Sequence, residues 1–203
     1  MKRLNLFSDK SPHFIGSWML EPLSICDDLI AFFKANKDKQ INGQTAHGRD
    51  LSVKKSVDLT VLPGDESLLM HSVIKKYMGE LYLCYRDYLE LWPFLKDSFN
   101  RMDVGPFNIQ QYKRGGHFQQ FHAERDSIQN CHRVLAWMTY LNTVDDGGET
   151  NFLHYDIGIP PICGQTLIWP ADWTHAHCGN VINTGTKYII TGWLHFPPKN
   201  LKT

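Results

Sequence analysis

The sequence has no net charge: 21 basic and 21 acidic side chains cancel over 203 residues. A neutral chain exerts no bulk attraction on phosphate backbones or anionic membranes, which disfavours nucleic acid as a partner. No apolar run approaches the ~20 residues needed to span a bilayer, so no membrane partner is expected. The opening Met1–Lys10 stretch is too polar for a secretory leader. The five cysteines (Cys26, Cys84, Cys131, Cys163, Cys178) are odd in number, widely spaced and without a CxxC pair. That argues against a disulfide scaffold or zinc ribbon and predicts a reducing, cytoplasmic location. Repeats, low-complexity tracts and Pro/Ser-rich linkers are also lacking, so the expectation is one domain over 1–203. What is abundant is histidine. Seven of the ten (His117, His122, His132, His154, His175, His177, His195) fall in the last 87 residues, with four of the six tryptophans.

Periodicity divides the chain near residue 100. Residues 1–100 read as a mainly helical support region. One helix is expected from an N-cap at Ser24 through Phe33, fading at Asn36–Asp38, and a longer one from Asp65 to about Glu90. Between them, Leu51–Leu62 reads as a strand. In 101–203, short β-branched and aromatic runs alternate with turn residues. The predicted strands are Phe107–Tyr112, Val134–Leu141, Thr150–Leu153, Thr166–Trp169, Thr174–Cys178 and Lys187–Phe196. Strands at this spacing imply an α+β domain, with a sandwich or barrel buttressed by N-terminal helices.

The chemistry concentrates in two places. In His122-Ala123-Glu124, an extended backbone projects imidazole and carboxylate to one side, so both can reach one metal ion. Thr174-His175-Ala176-His177, read as a strand, offers two further histidines on one face. Two nitrogens and one oxygen form the facial triad of non-haem Fe(II) oxygenases, although zinc accepts the same donors. The last strand adds a cation. Lys187, Ile189, Thr191 and Trp193 share one face, while Tyr188, Ile190 and Leu194 occupy the other. Both faces look buried, and a buried lysine is costly unless it meets an anion.

With these residues in place, the segment from Phe107 to Phe196 resembles the 2-oxoglutarate- and Fe(II)-dependent dioxygenases, in their prolyl 4-hydroxylase-like branch. The anchors stand in family order: Tyr112-x-x-Gly115, His122-x-Glu124, Arg133, Tyr140-Leu141-Asn142, Gly147-Gly148-Glu149-Thr150-x-Phe152, Pro161-x-x-Gly164, His177, Lys187 and Trp193. The resemblance implies a double-stranded β-helix (jelly-roll) core. It implies Fe(II) on His122, Glu124 and His177, with His175 as the alternative distal ligand. Lys187 would meet the distal carboxylate of 2-oxoglutarate, with Tyr140 assisting; Tyr112, Thr150 and Trp193 would line the cosubstrate pocket. Two departures stand out. The branch usually has His-x-Asp rather than His-x-Glu, and Phe118 replaces a common tyrosine.

The implied activity is hydroxylation of an unactivated C–H bond using O2 and 2-oxoglutarate, with release of succinate and CO2. Ascorbate would be a supporting reductant. A prolyl residue of a peptide or protein is the expected substrate; a small molecule or nucleic acid is the alternative. Arg125 and Trp169 are candidates for substrate contact, and Gly43–Ser56 for a lid. A cupin-like metal barrel, as isomerase or binding module, is the competing class. Its motif adds a glutamate soon after two histidines, and nothing acidic lies between His177 and Lys187.

Overall fold

The computed structural model describes residues 1–6, 12–45, 48–99 and 101–197. Thirteen strands are present among them. They are β1 (Lys2–Leu4), β2 (Gly16–Met19), β3 (Gln40–Asn42), β4 (Lys54–Lys55), β5 (Val57–Val61), β6 (Asp103–Lys113), β7 (His117–His122), β8 (Arg133–Tyr140), β9 (Thr150–Phe152), β10 (Ile157–Ile159), β11 (Gln165–Pro170), β12 (His177–Gly179) and β13 (Thr186–His195). The helices are α1 (Ser24–Ala35), α2 (Glu66–Leu69), α3 (Ser72–Leu91) and α4 (Pro93–Ser98). The strands form two antiparallel sheets, ordered β1-β2-β11-β8-β13-β6-β5-β3 and β10-β9-β12-β7-β4. This is the double-stranded β-helix that the resemblance implied, within the sandwich or barrel that the strand spacing implied.

The period-2 rule organises the large sheet. On β8 and β13, Leu135, Trp137, Tyr188, Ile190 and Leu194 join a core shared with Leu29 and Phe33 of α1 and with Ile74, Tyr77 and Leu81 of α3. The alternate residues Ala136, Met138, Tyr140 and Ile189 enter a second core with Phe152, Ile159 and Trp169. The last strand is therefore buried on both faces. Gly192 makes this possible at the tightest point, because a Cβ there would lie 2.6 Å from Trp137 Cζ2 and 2.7 Å from Phe107 Cβ.

The N-terminal half is more than helical support. β2 pairs with β11, β5 with β6, and β4 with β7, so this half extends both sheets. β1, β2 and β3 carry too few residues for alternation to register. The expected 51–62 strand is split into β4 and β5. The expected long helix breaks at Met70–His71, where His71 takes extended backbone and its Nδ1 accepts from Val73 N–H at 3.4 Å. Ser24 is the first residue of α1, not its cap; Leu23 holds that position without a side-chain bond. β7 and β10 were also missed, and the expected Thr174–Cys178 strand is a 3-10 turn (Trp173–His175) followed by β12.

Candidate metal and cosubstrate site

β7 and β12 are neighbours in the small sheet, and His122 and His177 are direct cross-strand partners. Their rings lie 4.5 Å apart. Glu124 follows the end of β7, where its N–H and that of Arg125 both donate to Ala171 O, at 3.1 and 3.0 Å. This tether turns the carboxylate back toward the histidines. Glu124 Oε1 lies 3.4 Å from His177 Nε2 and 3.9 Å from His122 Nε2. One donor atom from each of the three residues falls within 4.8 Å of the others.

The tautomers suit a metal. Nδ1 of His122 faces Gln120 O at 2.9 Å, and Nδ1 of His177 faces His175 O at 2.9 Å. A carbonyl only accepts, so each Nδ1 carries the proton and each Nε2 keeps its lone pair. Burial, reinforced by His177, pushes the His122 pKa down to about 4. Burial works against the Glu124 carboxylate, but the neighbouring His177 and His122 and the Trp193 N–H hold its pKa at about 2. At neutral pH, a bare imidazole nitrogen and an ionised carboxylate are the forms that bind a divalent cation. The donor set thus fits Fe(II).

The second carboxylate oxygen is held separately. Trp193 Nε1 donates to Glu124 Oε2 at 2.7 Å. Arg133 stacks on Trp193 with Cζ 3.6 Å from the ring centroid, and its Nη1 donates to Glu124 O at 3.1 Å. Oε2 is thereby occupied, and Oε1 alone faces the two imidazoles. Aromatic rings fix those imidazoles in turn. Phe118 stacks on His122 at 3.8 Å and 11°, and Trp169 meets His177 edge-on at 5.0 Å.

His175 is not in this cluster. Its Nε2 donates to His13 O at 2.9 Å and its Nδ1 pairs with Thr174 Oγ1 at 3.0 Å. The 3-10 turn aims its ring away, and its backbone carbonyl orients His177 instead.

A cavity of about 900 Å³ opens over the cluster. Tyr112, Thr150, Lys187 and Trp193 line it with the three donors. Lys187 is 4 % exposed. Its Nζ donates to Gly148 O at 2.8 Å and lies 5.0 Å from the Tyr112 ring centroid. Burial pushes the Lys187 pKa down to about 8, against the pull of Glu149. An ammonium has three donors, and one carbonyl leaves it able to receive an anion.

Two of the expected residues stand outside the cavity, and a third forms its wall. Tyr140 does not line the cavity; its hydroxyl sits in hydrogen-bond contact with Thr150 Oγ1 (2.6 Å) and Ile159 O (3.2 Å), so it stands behind Thr150. Arg125 is absent from the cavity too, because its Nη1 pairs with Asp172 at 3.1 Å. Trp169 lines the cavity as a buried wall beside His177 and Phe152, whereas Trp173 is the exposed one, at 70 %. From the expected lid, Gln44, Thr45, Asp50, Val53 and Lys54 do border the cavity; 46–47 lie outside the described residues.

Sequence reading gave no role to a buried pair in the same wall. Lys54 Nζ donates to Asp58 at 2.7 Å, and Asp58 also accepts from Ser56 (2.7 Å) and Gln110 (3.1 Å). Tyr112 OH completes the network on Gln110 at 2.8 Å. Lysine and aspartate four apart in a polar stretch give no signal until β4, β5 and β6 are assembled.

With this geometry in hand, residues 107–195 match the 2OG-Fe(II) oxygenase superfamily. The matched segment carries all three donors and Lys187, and prolyl 4-hydroxylases are among the proteins this chain resembles. Prolyl 4-hydroxylase subunit alpha-3 of Homo sapiens is 25 % identical over 163 residues, covering 64 % of this chain and 30 % of that protein. The chain thus spans under a third of the length of the curated relatives it matches. Among solved structures, a Pseudomonas putida prolyl-4-hydroxylase shares the fold with TM-score 0.68 at 15 % identity, over 91 % of this chain and 94 % of that one. So does a Trichoplax adhaerens prolyl hydroxylase, solved with a hypoxia inducible factor peptide, at 0.70 and 15 %, over 91 % and 84 %.

Proposed function

We propose that this protein hydroxylates a prolyl residue of a peptide or protein substrate, using Fe(II), O2 and 2-oxoglutarate. The carrying observation is one cavity that holds a two-histidine, one-carboxylate donor set and a buried lysine free to receive a carboxylate. Bound together, iron and 2-oxoglutarate supply the oxidant, with release of succinate and CO2. The chain's own residues do the rest. His122, Glu124 and His177 would hold the metal through two nitrogens and one oxygen, the donor set of non-haem Fe(II) oxygenases. Lys187 takes the distal carboxylate, supported by Tyr112 and Thr150. Phe118, Trp169 and Ile189 wall the site and keep water from it. Peptide as substrate draws on the prolyl hydroxylases that this chain resembles, one of them solved with a peptide.

The test is mass spectrometry of a proline-containing peptide pool after incubation with the protein, Fe(II), ascorbate and 2-oxoglutarate. The expected result is a gain of one oxygen atom on proline, matched by succinate. Succinate with the oxygen on another residue or on a small molecule would replace the substrate assignment. Absence of succinate across all substrates would overturn the activity.

A further inference from the structure

One wall of the metal cavity carries buried polar side chains bonded in a fixed direction. Asp58 on β5 is the cross-strand partner of Gln110 on β6, and Lys187 on β13 is the cross-strand partner of Tyr112. Gln110 and Tyr112, two apart on one strand, share a face. All four line the cavity, and each is 5 % exposed or less. The Lys54 ammonium balances the Asp58 carboxylate at 2.7 Å. A carboxylate only accepts, and Asp58 also takes Ser56 Oγ at 2.7 Å and Gln110 Nε2 at 3.1 Å. The Gln110 amide is therefore turned with its oxygen toward Tyr112, whose one hydroxyl proton it accepts at 2.8 Å. The Tyr112 ring is thus held at both ends, by β6 and by this bond. Lys187 Nζ stands over its face, 5.0 Å from the centroid. Packing alone does not call for these groups, and Ile189, the partner of Gln110 on β13, is apolar. A buried ion pair is commonly no more stabilising than well-packed apolar side chains of similar volume. What this network adds is a fixed geometry.

We propose that Gln110, anchored on Asp58, is a positioning residue for the cosubstrate. It holds the Tyr112 ring under Lys187, so that the ammonium meets the distal carboxylate of 2-oxoglutarate in one place. The side-chain bonds of Gln110 go to Asp58 and Tyr112, so it acts on the cosubstrate through Tyr112. Gly148 O, at 2.8 Å, is the second restraint on Lys187 Nζ. Between a fixed ring and a fixed carbonyl, the ammonium has little freedom. The proposal rests on the hydroxylase reading above and deepens it. The seat of the distal carboxylate is built across β5, β6 and β13 rather than by Lys187 alone.

The experiment is calorimetric titration of the Fe(II)-loaded full chain without oxygen. The ligands are 2-oxoglutarate and pyruvate, a 2-oxo acid that lacks the distal carboxylate. Gln110→Met keeps the volume and removes both bonds. It should weaken 2-oxoglutarate about three- to tenfold, as for one lost buried hydrogen bond, and leave pyruvate and Fe(II) affinity unchanged. Unchanged Fe(II) affinity also shows that the variant is folded. Tyr112→Phe removes the same bond from its other end and should match that loss. In the double variant, Gln110→Met should add nothing to Tyr112→Phe, because no hydroxyl remains to be held. Parent-like 2-oxoglutarate affinity in Gln110→Met, equal loss for both ligands, or full additivity in the double variant would each overturn the proposal. If Gln110→Met does not fold, parent-like 2-oxoglutarate affinity in Tyr112→Phe overturns it instead. A parent chain that binds iron but no 2-oxoglutarate would overturn the hydroxylase reading and this proposal with it. Failure confined to the variants overturns this proposal alone.

Discussion

Replacing Lys187 by methionine should make the protein more stable and the cosubstrate site worse. In the free protein the Lys187 ammonium is buried with one carbonyl as partner. Its pKa falls from an ordinary 10.5 to about 8. At about 1.4 kcal/mol for each tenfold change in proton affinity, the charged form costs the fold about 3 kcal/mol. Below pH 8 the group is charged folded and unfolded, and the full cost applies. Between about pH 8 and 10.5 only the unfolded chain keeps the proton. Stability therefore rises with pH across that window, and above it the cost is gone. Methionine fills similar space without charge but leaves Gly148 O short of a donor, returning about 1 kcal/mol. The net expectation is a gain of about 2 kcal/mol at pH 7, shrinking toward pH 10.5. Binding moves oppositely. Removing one partner of a buried charge pair costs about 3–5 kcal/mol, on the order of 10²- to 10⁴-fold in 2-oxoglutarate affinity. Urea unfolding at pH 7 and pH 10, with calorimetric titration of 2-oxoglutarate, measures both. A variant less stable than the parent at pH 7 would contradict the burial cost, and unchanged 2-oxoglutarate affinity would contradict the carboxylate role.

Other outcomes follow from the same geometry. Above about pH 8 the parent's 2-oxoglutarate affinity should fall as Lys187 loses its proton, with proton uptake on binding seen as a buffer-dependent heat; a flat profile to pH 9.5 would contradict the role. Trp193→Phe removes the donor to Glu124 Oε2 and should weaken metal binding about 10- to 100-fold, measured by chelator competition. Gly192→Ala should destabilise by about 1–3 kcal/mol in urea unfolding, because its Cβ would press on Trp137 and Phe107.

Much of the core and the metal donors was legible because both rest on short-range rules. Alternation located the long strands β6, β8 and β13, and His-x-Glu with a later His named the donors that the fold brings together. Legibility failed where long-range pairing decides. β1, β2 and β3 are three or four residues long and exist through their partners. His175 and His177 looked equivalent while 174–178 read as a strand; the 3-10 turn separates them, and no local propensity announces it. Arg125 follows the metal motif, yet Asp172, 47 residues away, holds it outside the cavity. Arg133 and Trp193 stood among the family anchors, but their stacking behind Glu124 appears only when β8 and β13 lie side by side.

If His122, Glu124 and His177 make one metal site, anaerobic Fe(II) titration of the parent, His177→Ala and His175→Ala will show it. The parent and His175→Ala should each bind one iron per chain, and His177→Ala should bind none at comparable concentration. Iron retained by His177→Ala, or lost in a folded His175→Ala, would contradict it.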